Sequence, residues 1–253
     1  MPQGATSPPE PWRDQANQVT ADVHEIEIAV PEHDTRVSGL LLRPPEARAL
    51  LVLGHGAGAG MTDAFLESLA QLMADSGIAT LRYNFPYKEH GGKRPDRTRV
   101  LTDTVQAAIA VASSVAKDLP LFAGGKSMGG RMTSTEMAAM KFPDVRGLVF
   151  VGFPLHAPGK PGVSRADHLA EVHAPMLFLQ GTRDRLADIG LMRNVVADLG
   201  RFAKLHVIED ADHSFKLLKK SGRSNADALQ ELATETDKWI DSVLSDTNGL
   251  TTD

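Results

Sequence analysis

Gly125-Lys126-Ser127-Met128-Gly129 spells G-x-S-x-G between an apolar run, Leu119 to Gly124, and a helical run, Met128 to Lys141. The order strand, tight turn, helix decides the fold, because a serine at such a turn is lifted to the end of a sheet with its hydroxyl free to attack a carbonyl. Small residues two before and two after the serine let strand and helix approach closely, and Gly125 and Gly129 fill those places. With 22 glycines in 253 residues, the pentapeptide arises by chance in roughly one such chain in ten, so its surroundings carry the argument. Pro120 fits only the start of a strand. Met128, Met132, Thr135, Ala138 and Ala139 recur at near-helical spacing, and Pro143 stands just beyond.

The same letters overlap the end of a phosphate loop, G-x-x-x-x-G-K-[ST]. Its first glycine would fall at Pro120, in a stretch that reads as extended and lacks that N–H. The nucleotide reading stops there.

Working outward, Glu25 to Val30 alternates with period two and Val37 to Leu42 is a second strand, so the two predict an antiparallel hairpin. From Ala49 onward strands and helices alternate. Strands 50–53, 78–85, 119–123, 145–151, 176–179 and 204–208 are interleaved with helices 64–76, 100–117, 128–141, 189–200 and 225–244. This pattern predicts an α/β protein with a mainly parallel eight-stranded sheet, an antiparallel N-terminal hairpin and helices on both faces. Residues 1–20, rich in Pro and polar residues, read as a flexible tail, residues 21–246 as one domain and 247–253 as a C-terminal tail.

Composition narrows the function class. A net charge of −5 and a sequence pI near 6.0 give no general nucleic-acid footprint. The absence of cysteine removes disulfides, thiolate metal sites and a cysteine nucleophile together. The first residues show no secretory pattern, and no apolar run approaches the ~18 residues a membrane span needs, so a cytoplasmic location without membrane attachment is expected. Composition carries no signal about oligomeric state.

Two antiparallel strands leading into such a series, with a serine after the fifth strand, resemble the α/β-hydrolase fold over roughly residues 22 to 246. The resemblance implies an acid after a later strand and a histidine after the last. Asp184, in Gln180-Gly181-Thr182-Arg183-Asp184, follows the apolar strand 175–179, and Asp188 is the reserve acid. His213 follows the final strand in a polar loop, Glu209 to Phe215. Ser127, Asp184 and His213 also stand in the order of the α/β-hydrolase triad, with His213 as general base and Asp184 orienting it. An oxyanion needs two N–H donors; Met128, after the nucleophile, and Ala57, in the glycine-rich loop Gly54 to Gly60, are the candidates, with Gly58 in reserve.

That loop also matches the dinucleotide pattern G-x-G-x-x-A, but the strand that follows ends Arg82-Tyr83-Asn84-Phe85, without a ribose-binding acid. His168 and His173 lie five apart and do not share a helical face as a zinc pair would, so they read as part of a surface helix. Lys88 to Arg99 reads as a solvated basic loop. Neither a metal nor an organic cofactor is expected.

Several passages, among them Arg82 to Tyr87, Gly125 to Arg131, Phe153 to Pro161 and Gln180 to Asp184, resemble one branch of these hydrolases. It groups small dienelactone-hydrolase-like bacterial proteins with eukaryotic testis-expressed and NSL-complex subunit proteins. A dienelactone hydrolase would carry cysteine as nucleophile, where this chain has Ser127. The stretch between strands 145–151 and 176–179 is too short for a large helical cap, so the pocket should be open, with Phe153, His156 and Tyr87 as substrate-contact candidates. The sequence thus points to a serine hydrolase of small carboxylic esters. The alternative is a non-catalytic hydrolase-like interaction protein using the basic loop or the loop 153–161.

Overall fold

The computed structural model describes residues 22–140 and 142–248. The chain forms β1 (Asp22–Val30), β2 (Thr35–Arg43), β3 (Ala49–Gly54), α1 (Ala64–Asp75), β4 (Ile78–Tyr83), the single turn α2 (Pro86–Glu89) and α3 (Thr98–Val115). Then follow β5 (Leu121–Lys126), α4 (Met128–Met140), β6 (Val145–Val151), β7 (Met176–Gly181), α5 (Ile189–Leu199), β8 (Ala203–Ile208) and α6 (Asn225–Asn248). One eight-stranded sheet has the order β1-β2-β4-β3-β5-β6-β7-β8. β1 pairs antiparallel with β2, and β2 with β4; every other pairing is parallel.

The unbroken apolar runs of β3 and β7 follow from their central position, since both faces are covered by helices and every residue in them is buried. Alternate side chains enter two cores. Leu50, Val52 and Phe150 point to the layer holding Val105 and Ile109 of α3, Met132 of α4 and Met192 of α5. Leu51, Leu53 and Val149 point to the opposite layer, against Leu66 and Leu69 of α1 and Leu232 and Trp239 of α6. The expected α/β-hydrolase fold is therefore present, with helices on both faces. Between β6 and β7 the chain makes only a short 3-10 segment, Ser164–Glu171, and no cap.

Boundaries move for local reasons. The fifth strand starts at Leu121, not Leu119, because Pro120 has no N–H for the ladder; its carbonyl instead accepts from Leu50 N at 2.9 Å. It then runs on through Gly124 and Gly125 to Lys126, since β3 and β6 pair with it on both sides. Helix α6 continues to Asn248, so residues 247 and 248 are helical rather than part of a tail. The expected tail 1–20, the rest of the C-terminal tail and the helix end at Lys141 lie outside the described residues. The basic stretch 88–99 divides between α2, an exposed loop and the start of α3.

Candidate active site

Ser127 occupies the sharp turn between β5 and α4 with φ +51°, a left-handed conformation that non-glycine residues adopt rarely and at a cost. It is held there by its own N–H donating to Val151 O at 3.1 Å and by its carbonyl accepting from Arg131 N at 3.1 Å. The flanking glycines are sterically required. A Cβ on Gly129 would stand 2.2 Å from Gly54 O, and one on Gly125 would stand 2.5 Å from the same oxygen. Helix α4 starts this close to β3 only because both side chains are missing.

The structure brings Ser127, His213 and Asp184 together from three elements. His213 Nε2 lies 2.9 Å from Ser127 Oγ, and His213 Nδ1 lies 2.7 Å from Asp184 Oδ2. An ionised carboxylate accepts only, so Nδ1 carries the imidazole proton and Nε2 is left to accept from the serine hydroxyl. Asp184 is buried, yet well supplied with donors: Gln180 Nε2 reaches Oδ2 at 2.5 Å and Leu186 N reaches Oδ1 at 2.7 Å. Asp188, the reserve acid, is spent elsewhere. It caps α5 by accepting from Leu191 N at 2.9 Å.

His213 sits on a turn after β8 built around Asp212, whose Oδ1 accepts from Ser214 N at 2.8 Å and Lys216 N at 3.0 Å. Asp210 and Phe215 in this turn both have positive φ, +59° and +58°. Phe215 is fully buried and its ring stacks on Phe65 of α1 with centroids 5.8 Å apart, which anchors the strained turn to the core.

The loop after β3 approaches Ser127 from the other side. Its shape is set by His55, whose Nδ1 meets Gly56 O at 2.8 Å and whose Nε2 accepts from Phe85 N at 3.2 Å. Burial pushes the His55 imidazole pKa below its ordinary value. Gly58 N is taken by Tyr87 Oη at 3.3 Å and Ala59 N by Gly56 O at 3.1 Å. The Ala57 N–H has no partner among the described residues, and Met128, as first residue of α4, has an N–H without an intrahelical acceptor. Of the two loop candidates, Ala57 is the one left available.

A cleft of about 690 Å³ opens over Ser127 and His213, walled by Ala57, Asp63, Phe65, Glu67, Lys126 and Leu186. The first turn of α1 thus forms one side of it, a contribution that strand-and-motif reading missed. Its only sequence signal is the position of Phe65 shortly after the glycine-rich loop. Three expected substrate contacts lie away from this cleft. Phe153 is buried and packs edge-on against Phe150 and Phe178, at 5.3 and 5.8 Å between centroids. His156 is buried, with Nδ1 at 2.9 Å from Ala157 O and Nε2 accepting from Asp188 N at 2.9 Å. Tyr87 is buried too, and its hydroxyl faces the Gly58 N–H.

The two other histidines that looked metal-like diverge. His168 lies on the largely exposed 3-10 segment Ser164–Glu171, with Nε2 2.7 Å from Ser134 Oγ of α4, whereas His173 lies beyond that segment and stacks loosely on Phe202 at 6.5 Å between centroids. Among the described residues no helix is long and apolar enough to cross a membrane.

Solved structures with the same chain path include a dienelactone hydrolase from Anabaena variabilis. It is 20% identical with a TM-score of 0.68, over 87% of this chain and 96% of that one. An alpha-beta serine hydrolase homologue from Coxiella burnetii is 19% identical with a TM-score of 0.67, over 84% and 96%. An a/b serine hydrolase without lid from Xanthomonas campestris is 18% identical with a TM-score of 0.66, over 86% and 95%. At these identities the likeness is one of fold. Residues 47–241, most of the chain, match the family described as "Alpha/beta hydrolase domain", and the chain belongs to that family.

Proposed function

We propose that this protein is a serine hydrolase that cleaves small carboxylic esters through an acyl-enzyme on Ser127. The observation that carries the reading is the continuous relay from Ser127 Oγ through the His213 imidazole to the buried Asp184 carboxylate, at 2.9 and 2.7 Å. Family membership and the serine hydrolases among its structural neighbours support it.

Ser127 Oγ adds to the ester carbonyl carbon while its proton passes to His213 Nε2. The imidazolium that forms is stabilised by Asp184, which keeps its own negative charge. The carbonyl oxygen, now anionic, is received by the N–H groups of Met128 and Ala57. Collapse breaks the bond to the leaving alkoxide, which takes the proton from His213. Water then repeats the sequence on the acyl-Ser127 ester, with His213 again as base, and releases the acid.

The open cleft and the absence of a cap between β6 and β7 favour short acyl groups. Such esters expose little apolar surface that a lid would have to cover. Incubation with p-nitrophenyl acetate followed by rapid quench and peptide mass spectrometry tests the reading. An acetyl group on the peptide containing Ser127 is expected; acetylation elsewhere, or none during turnover, overturns it.

A further inference from the structure

Lys126, the unspecified second position of the pentapeptide, ends β5 immediately before the nucleophile. Its Nζ donates to the backbone carbonyl of His213 at 2.6 Å. Two adjacent residues therefore grip one histidine at two points: Lys126 holds its main chain and Ser127 meets its ring. The ammonium also lies over the Phe215 ring at 5.3 Å and the Phe65 ring at 5.9 Å, the same stacked pair that anchors the turn, an arrangement in which cation–π attraction adds to the hydrogen bond.

The turn needs such a hold. It passes through Asp210 and Phe215 at positive φ, and the hydrogen bonds closing it run to Asp212 and Lys216, leaving the His213 carbonyl to Lys126. A charge-assisted bond of this length is stronger than a neutral one. The hydrogen bond that the Lys126 ammonium makes is to this carbonyl, while Asp184, Asp212 and Asp63 act on its charge from farther away.

We infer that Lys126 is a positioning residue for the proposed hydrolysis: its protonated side chain tethers the His213-bearing turn to the strand that carries Ser127 and so fixes the imidazole for proton transfer. This inference rests on the serine-hydrolase reading above. The groups facing the ammonium are Asp212 and His213 on the turn, Asp184 after β7 and Asp63 ahead of α1. Burial lowers the Lys126 pKa to about 8, and the three carboxylates oppose that fall. The tether is complete below that value and weakens as pH rises through it.

The test is the pH dependence of p-nitrophenyl acetate turnover, corrected for spontaneous hydrolysis, in wild type, Lys126→Met and Lys126→Arg. Wild-type kcat is expected to fall as pH rises through about 8. Lys126→Met should lower kcat about tenfold at neutral pH, leave KM within about twofold and abolish that fall. Lys126→Arg, whose charge persists to high pH, should recover part of kcat and move the fall upward. A wild-type profile flat through this region, a Lys126→Met kcat within about twofold of wild type, or a loss carried by KM alone overturns the inference. Should wild type neither turn over nor label, the hydrolase reading fails, and NMR still decides the tether. Lys126 and His213 ring signals should then shift together near pH 8, whereas Lys126 titrating at the ordinary 10.5 without a His213 response overturns it.

Discussion

Asp184 Oδ2 receives His213 Nδ1 at 2.7 Å while also accepting from Gln180 Nε2 at 2.5 Å, so one buried oxygen carries both the histidine and its support. Gln180 Nε2 and Leu186 N hold the carboxylate independently of the imidazole. Asp184→Asn should therefore lower kcat about 10³- to 10⁴-fold, because the amide presents a donor or a weaker acceptor to Nδ1. Asp188→Asn, which alters a helix cap, should stay within a few-fold of wild type. Steady-state kinetics on the two purified variants separate these outcomes, and a large loss in the second alone would move the acid to Asp188.

The approach of α4 to β3 gives a stability prediction. A methyl on Gly129 would sit 2.2 Å from Gly54 O and 2.8 Å from His55 O, and backbone cannot withdraw as a flexible side chain can. Gly129→Ala should destabilise the protein by about 3 kcal/mol, read by urea denaturation. An unchanged midpoint would mean that α4 does not approach Gly54 this closely.

Tyr87 separates loop support from substrate contact. Its hydroxyl meets Gly58 N at 3.3 Å and its ring packs edge-on to His55 at 5.9 Å between centroids. Tyr87→Phe should cost about 1 kcal/mol of stability and lower kcat a few-fold through the neighbouring Ala57 N–H. KM should change little across acetate, butyrate and hexanoate esters. A KM effect that grows with acyl length would return Tyr87 to the substrate pocket.

Stability should decline on the acid side of neutrality. Burial lowers the pKa of both His55 and His168 below the ordinary imidazole value of 6.5; the Gly56 carbonyl partly opposes this at His55, and Arg131 reinforces it at His168. Between the folded and unfolded pKa values the unfolded chain binds more protons, so unfolding free energy falls as pH drops below about 6.5. Thermal melts from pH 7.5 to 5 should show the decline, and His55→Gln should reduce its slope.

Chain order made the meeting of Ser127, Asp184 and His213 legible, because each follows a recognisable strand and the ends of those strands converge. The surroundings of the three substrate-contact candidates were not legible for the opposite reason. Phe153, His156 and Tyr87 all leave the carboxyl ends of strands, but the direction of each side chain is set by packing that spacing does not encode. Phe153 joins Phe150 and Phe178, His156 serves the cap residue of α5, and Tyr87 braces the glycine-rich loop. Lys126 was invisible as a tether because its partner is a backbone carbonyl 87 residues away, which has no side-chain signature. The strand boundary at Pro120 followed from covalent chemistry, whereas the extension through Gly124 and Gly125 depended on pairing with neighbours on both sides.

Labelling with a fluorophosphonate reads whether Ser127 is an activated nucleophile, since the reagent reacts with a serine whose proton a neighbouring base can take. Wild type should label stoichiometrically and turn over p-nitrophenyl acetate. Ser127→Ala should do neither, and His213→Ala should lose turnover on the order of 10⁴-fold or more. Wild-type protein that is folded, yet neither labels nor turns over, would show that Ser127 is not activated, as would a Ser127→Ala variant that labels as well as wild type.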